Sequence, residues 1–139
     1  MIQQLSIFAE NHRGAMKRIT QVLADNGINM NTLVTNDSAE YGIIRMIVYE
    51  PEKARSAFAE AGYLCRLDKV IAVIMSDEYG SLNRLLGDMQ SSNIDIDYIY
   101  ISYDRDTAAP IAIIHAEGAD EVEECLRSRG YQCLTQIVD

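Results

Sequence analysis

The sequence predicts an α+β fold of two βαββαβ units packed side by side, the first over residues 1–68 and the second over residues 69–139. Two observations lead there. Shifted by 66 residues, "LSIFAENHRGAMKRITQVLADNGINMN" lies over "IAVIMSDEYGSLNRLLGDMQSSNIDID", with Gly14 on Gly80, Arg18 on Arg84, Ile19 on Leu85, Leu23 on Met89, Ile28 on Ile94 and Met30 on Ile96. Further on, "EAGYLC" matches "SRGYQC" at a shift of 68, placing Gly62 on Gly130 and Cys65 on Cys133. One loop insertion produces such a drift, and ordered matches at nearly one period mark a duplicated unit.

Each half repeats the same element order. "IQQLSIF" and "VIAVIM" read as strands, the second apolar enough to be buried on both faces. Met16, Ile19, Leu23 and Asn26 recur at helical spacing, and Leu82, Leu85, Leu86 and Met89 do so more cleanly. Gly27 closes the first of these helices. A strand follows ("INMNTLVT"; "IDIDYIYISY"), then a turn ("NDSAEYG"; "DRDTAA") and another strand ("IIRMIVY"; "PIAIIHA"). The second helix of each half carries Ala54, Ala57, Phe58 and Ala61, or Val122, Cys125 and Leu126, on one face. Pro51 suits a first helical turn, where its missing N–H costs nothing. Gly62 and Gly130 suit the left-handed residue that closes a helix. A last strand ends each half.

This is the ferredoxin-like split βαβ arrangement, an antiparallel sheet with two helices on one face. A unit of about 67 residues buries only a marginal core alone, so two joined with almost no linker should pack together. "YIYIS" has apolar residues on both strand faces, which an isologous homodimer would cover.

Composition narrows the function. The chain is 48% hydrophobic and 24% charged, as a packed globular protein requires. With 12 basic against 21 acidic residues and a formal charge of −9, it lacks the basic clusters that bind nucleic acid or an anionic membrane surface. No apolar run approaches the ~20 residues of a bilayer span, and the first ten residues lack the basic region of a signal peptide. Cys65, Cys125 and Cys133 have neither metal spacing nor a CxxC pair, and suit reduced thiols in the cytoplasm. His115, in a strand, reads as structural. Asp95 and Asp97 recur on one strand face, but two acids cage a divalent cation poorly. No metal or cofactor is expected.

Two βαββαβ units, each with a glycine turn between first strand and first helix, resemble tandem ACT domains. The likeness rests on Asn11-His12-Arg13-Gly14 and, thirteen residues later, Gly27-Ile28-Asn29-Met30. These are similar to the family's Asn-x-Pro-Gly and Gly-[Val/Ile]-Asn-[Ile/Met]. The resemblance covers essentially the whole chain. It implies a regulatory protein that binds a free amino acid between ACT units and acts on a metabolic enzyme or regulator in trans. Other ACT units bind nothing and only hold oligomers together. The sequence departs from the pattern where Arg13 and Tyr79 replace the proline. In the second copy, Asp77-Glu78-Tyr79-Gly80 and Asn93-Ile94-Asp95-Ile96 put acids in place of Asn11 and Asn29.

The chemistry of the first loop fits that implication. The first N–H groups of a helix lack intrahelical partners and carry the positive end of its dipole. A loop ending in Gly14 and Ala15 exposes them to a carboxylate, with no Cβ to hold the backbone away. Asn11 and Asn29 can accept from an ammonium group or donate to a carboxylate, and Arg13 can add a second contact. The expected site is therefore Asn11, His12, Arg13, Gly14, Ala15, Asn29 and Met30, with His12 as exposed loop. Asp77, Glu78, Tyr79, Gly80 and Asp95 form a weaker second loop, because their acids repel a carboxylate. Two alternatives remain: a purely structural oligomerisation module, and an acylphosphatase-like enzyme using Arg13 with Asn11 or Asn29. No Ser-His-Asp set, zinc spacing or Walker loop supports catalysis, and no enzyme activity is expected.

Overall fold

The computed structural model describes residues 1–10, 12–35 and 41–137. Among these, the element order is β1 (Ile2–Glu10), α1 (Ala15–Asp25), β2 (Met30–Thr35), β3 (Tyr41–Val48), α2 (Pro51–Glu60), β4 (Leu64–Ile74), α3 (Ser81–Ser91), β5 (Tyr98–Tyr103), β6 (Pro110–His115), α4 (Ala119–Ser128) and β7 (Gln132–Cys133). The expected turn at residues 36–40 lies outside the described residues. The chain divides into two compact units, Gln3–Asp68 with Ile137, and Met1–Ile2 with Lys69–Gln136. The α+β reading, with βαββαβ repeats and antiparallel strands, describes both.

In the N-terminal unit the strand order is β2-β3-β1-β4. Leu5 pairs with Met46 and Ile7 with Ile44, so alternate residues of both strands point to the helices. There they meet Ile19 and Leu23 of α1 and Ala54 and Phe58 of α2 in one core, with Leu5, Ile7, Ile19, Met46 and Phe58 sealed from solvent. Each large apolar side chain so buried stabilises by about 1.5–3 kcal/mol over its exposed state. Tyr63 packs edge-on against Phe58, with ring centroids 5.7 Å apart.

The C-terminal unit repeats the plan with the order β4-β6-β5, and β7 paired to β4. Ile71, Val73 and Ile114 meet Leu85 and Met89 of α3 and Val122 and Leu126 of α4 in a second core. Of the apolar residues at helical spacing, Leu85 and Met89 are buried while Leu82, Leu86 and Cys125 are half-buried. Met16, the first residue of its stripe, is exposed.

The four helices among the described residues end by one device. In α2 the Tyr63 N–H reaches the Phe58 carbonyl and the Gly62 N–H the Ala59 carbonyl, with Gly62 at φ +90°. In α4 Tyr131 reaches Leu126 and Gly130 reaches Arg127, as expected of the paired glycines. These crossed bonds satisfy carbonyls that the helix leaves free. Gly27 closes α1 in the same way. In α3 the left-handed position falls to Asn93, at φ +56°.

The structure departs from expectation at two places. The last strand of the first half and the first strand of the second run together as β4, eleven residues long. Between Leu64 and Ile74 stands no Gly, Pro or Asn to turn the chain, so extended backbone continues through Asp68 and Lys69. The expected strand "IDIDYIYISY" begins only at Tyr98. Asp95 and Asp97 are therefore not on a strand face, and both are exposed.

Candidate functional site

The β1–α1 turn is built around Gly14. Its φ of +81° and ψ of 0° are left-handed, a region costly for any residue with a Cβ. The Ala15 N–H closes the turn on the His12 carbonyl at 3.1 Å, and the first i to i−4 bond of α1 runs from the Arg18 N–H to the Gly14 carbonyl. The N–H groups of Met16 and Lys17 lie ahead of that bond and have no acceptor within the helix. No acid stands in the first turn of α1 and no side chain caps it. The positive end of the helix faces out between His12, Arg13 and Gly14, all exposed.

Arg18 adds to this end. Its guanidinium folds back over the turn, so that Nη1 would lie 3.2 Å from a Cβ placed on Gly14. Its Nη2 lies 2.8 Å from His12 Nδ1 and 3.3 Å from Nε2. The Glu10 carboxylate stands 3.7 Å from His12 Nε2. The turn borders an open hollow of about 410 Å³ that Phe8, Glu10 and His12 share with Tyr63 and Leu64.

The predicted residues do not all converge here. His12, Arg13, Gly14 and Ala15 form the turn, and Asn11 lies outside the described residues. Asn29 and Met30 follow the far end of α1, and eleven residues at ~1.5 Å each put a helix length of ~16 Å between the turn and Asn29 within the unit. Asn29 is exposed and its Oδ1 accepts the Met30 N–H at 2.9 Å. Arg18 was matched to Arg84 in the repeat but not counted as a site residue. Its position one helical turn after the glycine was the available signal.

The second loop copies the backbone but not the charge. Gly80 has φ +80° and ψ 6°, and the Arg84 N–H reaches its carbonyl at 2.8 Å. Asp77, Glu78 and Tyr79 are exposed beside it. Nothing lies within 4 Å of where a Gly80 Cβ would be, so Arg84 does not fold over this turn as Arg18 does over the first. The strand registers keep the pairing of the two copies up to β5. Leu33 pairs with Met46 and Thr35 with Ile44, while Ile99 pairs with Ile114 and Ile101 with Ala112, so β5 stands 66 residues from β2 and β6 stands 68 from β3. The insertion therefore falls between β5 and β6, and Asp95 is the counterpart of Asn29. Asp97 accepts from His115 Nδ1 at 2.8 Å, and the His115 ring stacks on Tyr98. His115 is thus tied into the sheet.

Among the described residues, no group of three or more His, Cys, Asp or Glu side chains is arranged to hold a metal ion, and no helix is long and apolar enough to cross a membrane. All three cysteines are free thiols. Burial pushes the Cys133 thiol above its usual range, against the opposing charge of Arg127, which disfavours the reactive thiolate.

The fold has close structural relatives. A protein of Bacteroides thetaiotaomicron is 28% identical, with a TM-score of 0.87 over 96% of this chain and 91% of its own. The ligand-free regulatory subunit of aspartate kinase from Thermus thermophilus is 18% identical, with a TM-score of 0.59 over 91% of each chain. Aspartokinase III of E. coli, solved with aspartate and ADP, is 15% identical, with a TM-score of 0.55 over 89% of this chain and 30% of its own. No curated protein matches the sequence. The model of the family described as "ACT domain pair" matches residues 1–135, and the chain belongs to that family.

Proposed function

We propose that the protein is a non-catalytic regulatory module that binds a free amino acid at the Gly14 turn. One ACT unit corresponds to each half, residues 1–68 and 69–139. The observation that carries the reading is the turn itself: a left-handed glycine, helix-start N–H groups and the Arg18 guanidinium directed at one exposed point. That combination suits a carboxylate, which gains charge-assisted hydrogen bonds there. Asp77 and Glu78 make the equivalent turn of the second half unfavourable for an anion, so the first turn is the principal site. Asn29 lies too far along α1 to reach the same ligand. It takes part only where a second copy brings its own Asn29 to the turn, which joins the site to a homodimer. Free thiols suit a reducing, cytoplasmic setting, and the regulated target is a metabolic enzyme or regulator in trans.

A thermal-shift screen against the twenty amino acids tests this. A ligand specific for the folded state adds about 2.7 kcal/mol at a hundredfold excess over its Kd. One amino acid, or a chemically related few, should raise the melting temperature. If none does at millimolar concentration, the purely structural reading replaces this one.

A further inference from the structure

Tyr79 stands wholly out of the surface, at 105% relative exposure, between Glu78 and Gly80 of the turn ahead of α3. The turn is built: Gly80 is left-handed at φ +80°, and the Ser81 N–H bonds to the Glu78 carbonyl at 3.3 Å. An aromatic ring held in water this way forgoes the stabilisation that burying its apolar area gives. The N-terminal unit offers a complementary shape. Phe8, Ala9, Tyr63 and Leu64 line the open hollow of about 410 Å³, and Leu64 is 71% exposed there. Charge separates the two halves as well. Residues 1–68 carry seven Lys and Arg against eight Asp and Glu, while residues 69–139 carry five against thirteen. Two copies that approach through their C-terminal halves repel, whereas the acidic half of one meets no such barrier at the nearly neutral half of another.

We propose that Tyr79 of one copy docks in the hollow between Phe8 and Leu64 of a second copy of this chain. The ring covers the apolar wall, and its hydroxyl donates to Glu10, the acid that lines the hollow. Asp77 and Glu78, exposed on the same turn as the ring, meet Arg66. That guanidinium lies 5.9 Å from the centre of the Phe8 ring. Its Nε is held by Asp68 at 3.0 Å, but the side chain is 63% exposed, so its terminal nitrogens can take a second carboxylate. Arg13 and Arg18 are exposed on the turn that borders the hollow and add charge of the same sign. The occupant is a second copy because the ring of the same chain is fully in solvent. An aromatic anchor in an apolar recess, rimmed by opposite charges, is the usual anatomy of a specific protein contact. The contact does not depend on what the Gly14 turn binds.

The chain contains no Trp, so Tyr79→Trp places a single indole reporter at the anchor. The full chain carrying it, at a low fixed concentration, is titrated with full-length Tyr79→Ala, which keeps the hollow and lacks the ring. The emission should move to the blue and its anisotropy should rise as the indole is buried. A partner carrying Leu64→Glu together with Tyr79→Ala should leave the emission unchanged. Arg66→Glu in place of Leu64→Glu should weaken the association about tenfold, and raised salt should weaken it further. Leu64 and Arg66 are exposed, so both partners should keep their fold, which circular dichroism checks. If Leu64→Glu fails to fold, Arg66→Glu carries the test. Sedimentation reads the unlabelled protein, in which Tyr79→Ala should self-associate at least about tenfold more weakly than wild type. Three results would overturn the contact: an indole that stays exposed at millimolar partner, equal shifts with the intact and altered hollows, or undiminished association of Tyr79→Ala. An amino-acid screen without a hit would sink the proposed function and leave this contact standing.

Discussion

The Tyr131 hydroxyl donates to Asp88 Oδ2 at 2.5 Å and joins the segment three residues past α4 to the C-terminal half of α3. Arg129 reaches the other oxygen of the same carboxylate at 3.3 Å. Burial first, then the hydrogen bond and charge of Asp88, push the Tyr131 phenol up to about 12 from its usual 10.0. A phenol is neutral when protonated, so a raised value means that folding favours the protonated form. The stabilisation is whole below about pH 10 and disappears as the pH rises to about 12. Denaturant titrations across this window should show wild type losing more stability than Tyr131→Phe, which has no proton to lose. Equal losses in the two proteins would refute the linkage.

Gly14→Val and Gly80→Val should cost similar stability and differ in function. Both glycines are left-handed, and a Cβ there costs about 1–2 kcal/mol. At Gly14 the new side chain also meets Arg18, whereas at Gly80 it enters open space. Calorimetry with the amino acid found in the screen should show binding abolished by the first change and little altered by the second. The opposite pattern would assign the site to the other half.

Asn29→Ala should weaken amino-acid binding by about 1–2 kcal/mol, the worth of one hydrogen bond to a charged group. Because a ligand at the turn can meet only a second copy's Asn29, the loss should be seen at protein concentrations that favour the dimer and fade on dilution. Titrations at two protein concentrations decide this. A loss that ignores dilution would remove the second copy from the site.

Asn93 gives a test of the helix-closing device. It takes the left-handed position that Gly27, Gly62 and Gly130 hold in the other helices. Asn93→Gly should leave stability within a few tenths of a kcal/mol or raise it, while Asn93→Val should cost about 1–2 kcal/mol. Chemical denaturation measures both. A harmless valine would mean that the turn relaxes out of the left-handed region.

The helices were the most legible part of the sequence. Ile19 with Leu23, Ala54 with Phe58, and Val122 with Leu126 are each spaced for one face, and each pair is buried where its spacing put it. Gly62 and Gly130 could be read because few other residues hold a positive φ. Strand boundaries were harder. Nothing local distinguishes two short strands from one long β4, since a boundary requires a turn residue and its absence is easily passed over. The start of β5 was equally hidden, because "IDID" alternates like a strand while lying outside one. Of the site, the turn was legible from Gly14 and the repeat. The fold of Arg18 over it was not, because an arginine has four side-chain torsions and its direction depends on His12, six residues away.

A single strand, β4, serves as the end of one repeat and the beginning of the next, and the unit that contains Lys69–Gln136 also includes Met1 and Ile2. The boundary between the two compact units therefore falls inside a strand, between Asp68 and Lys69, with no turn residue to mark it. A strand that carries no punctuation binds the two repeats at a fixed register, so the repeats differ in their loops instead: His12 and Arg13 stand before Gly14, and Asp77 and Glu78 before Gly80.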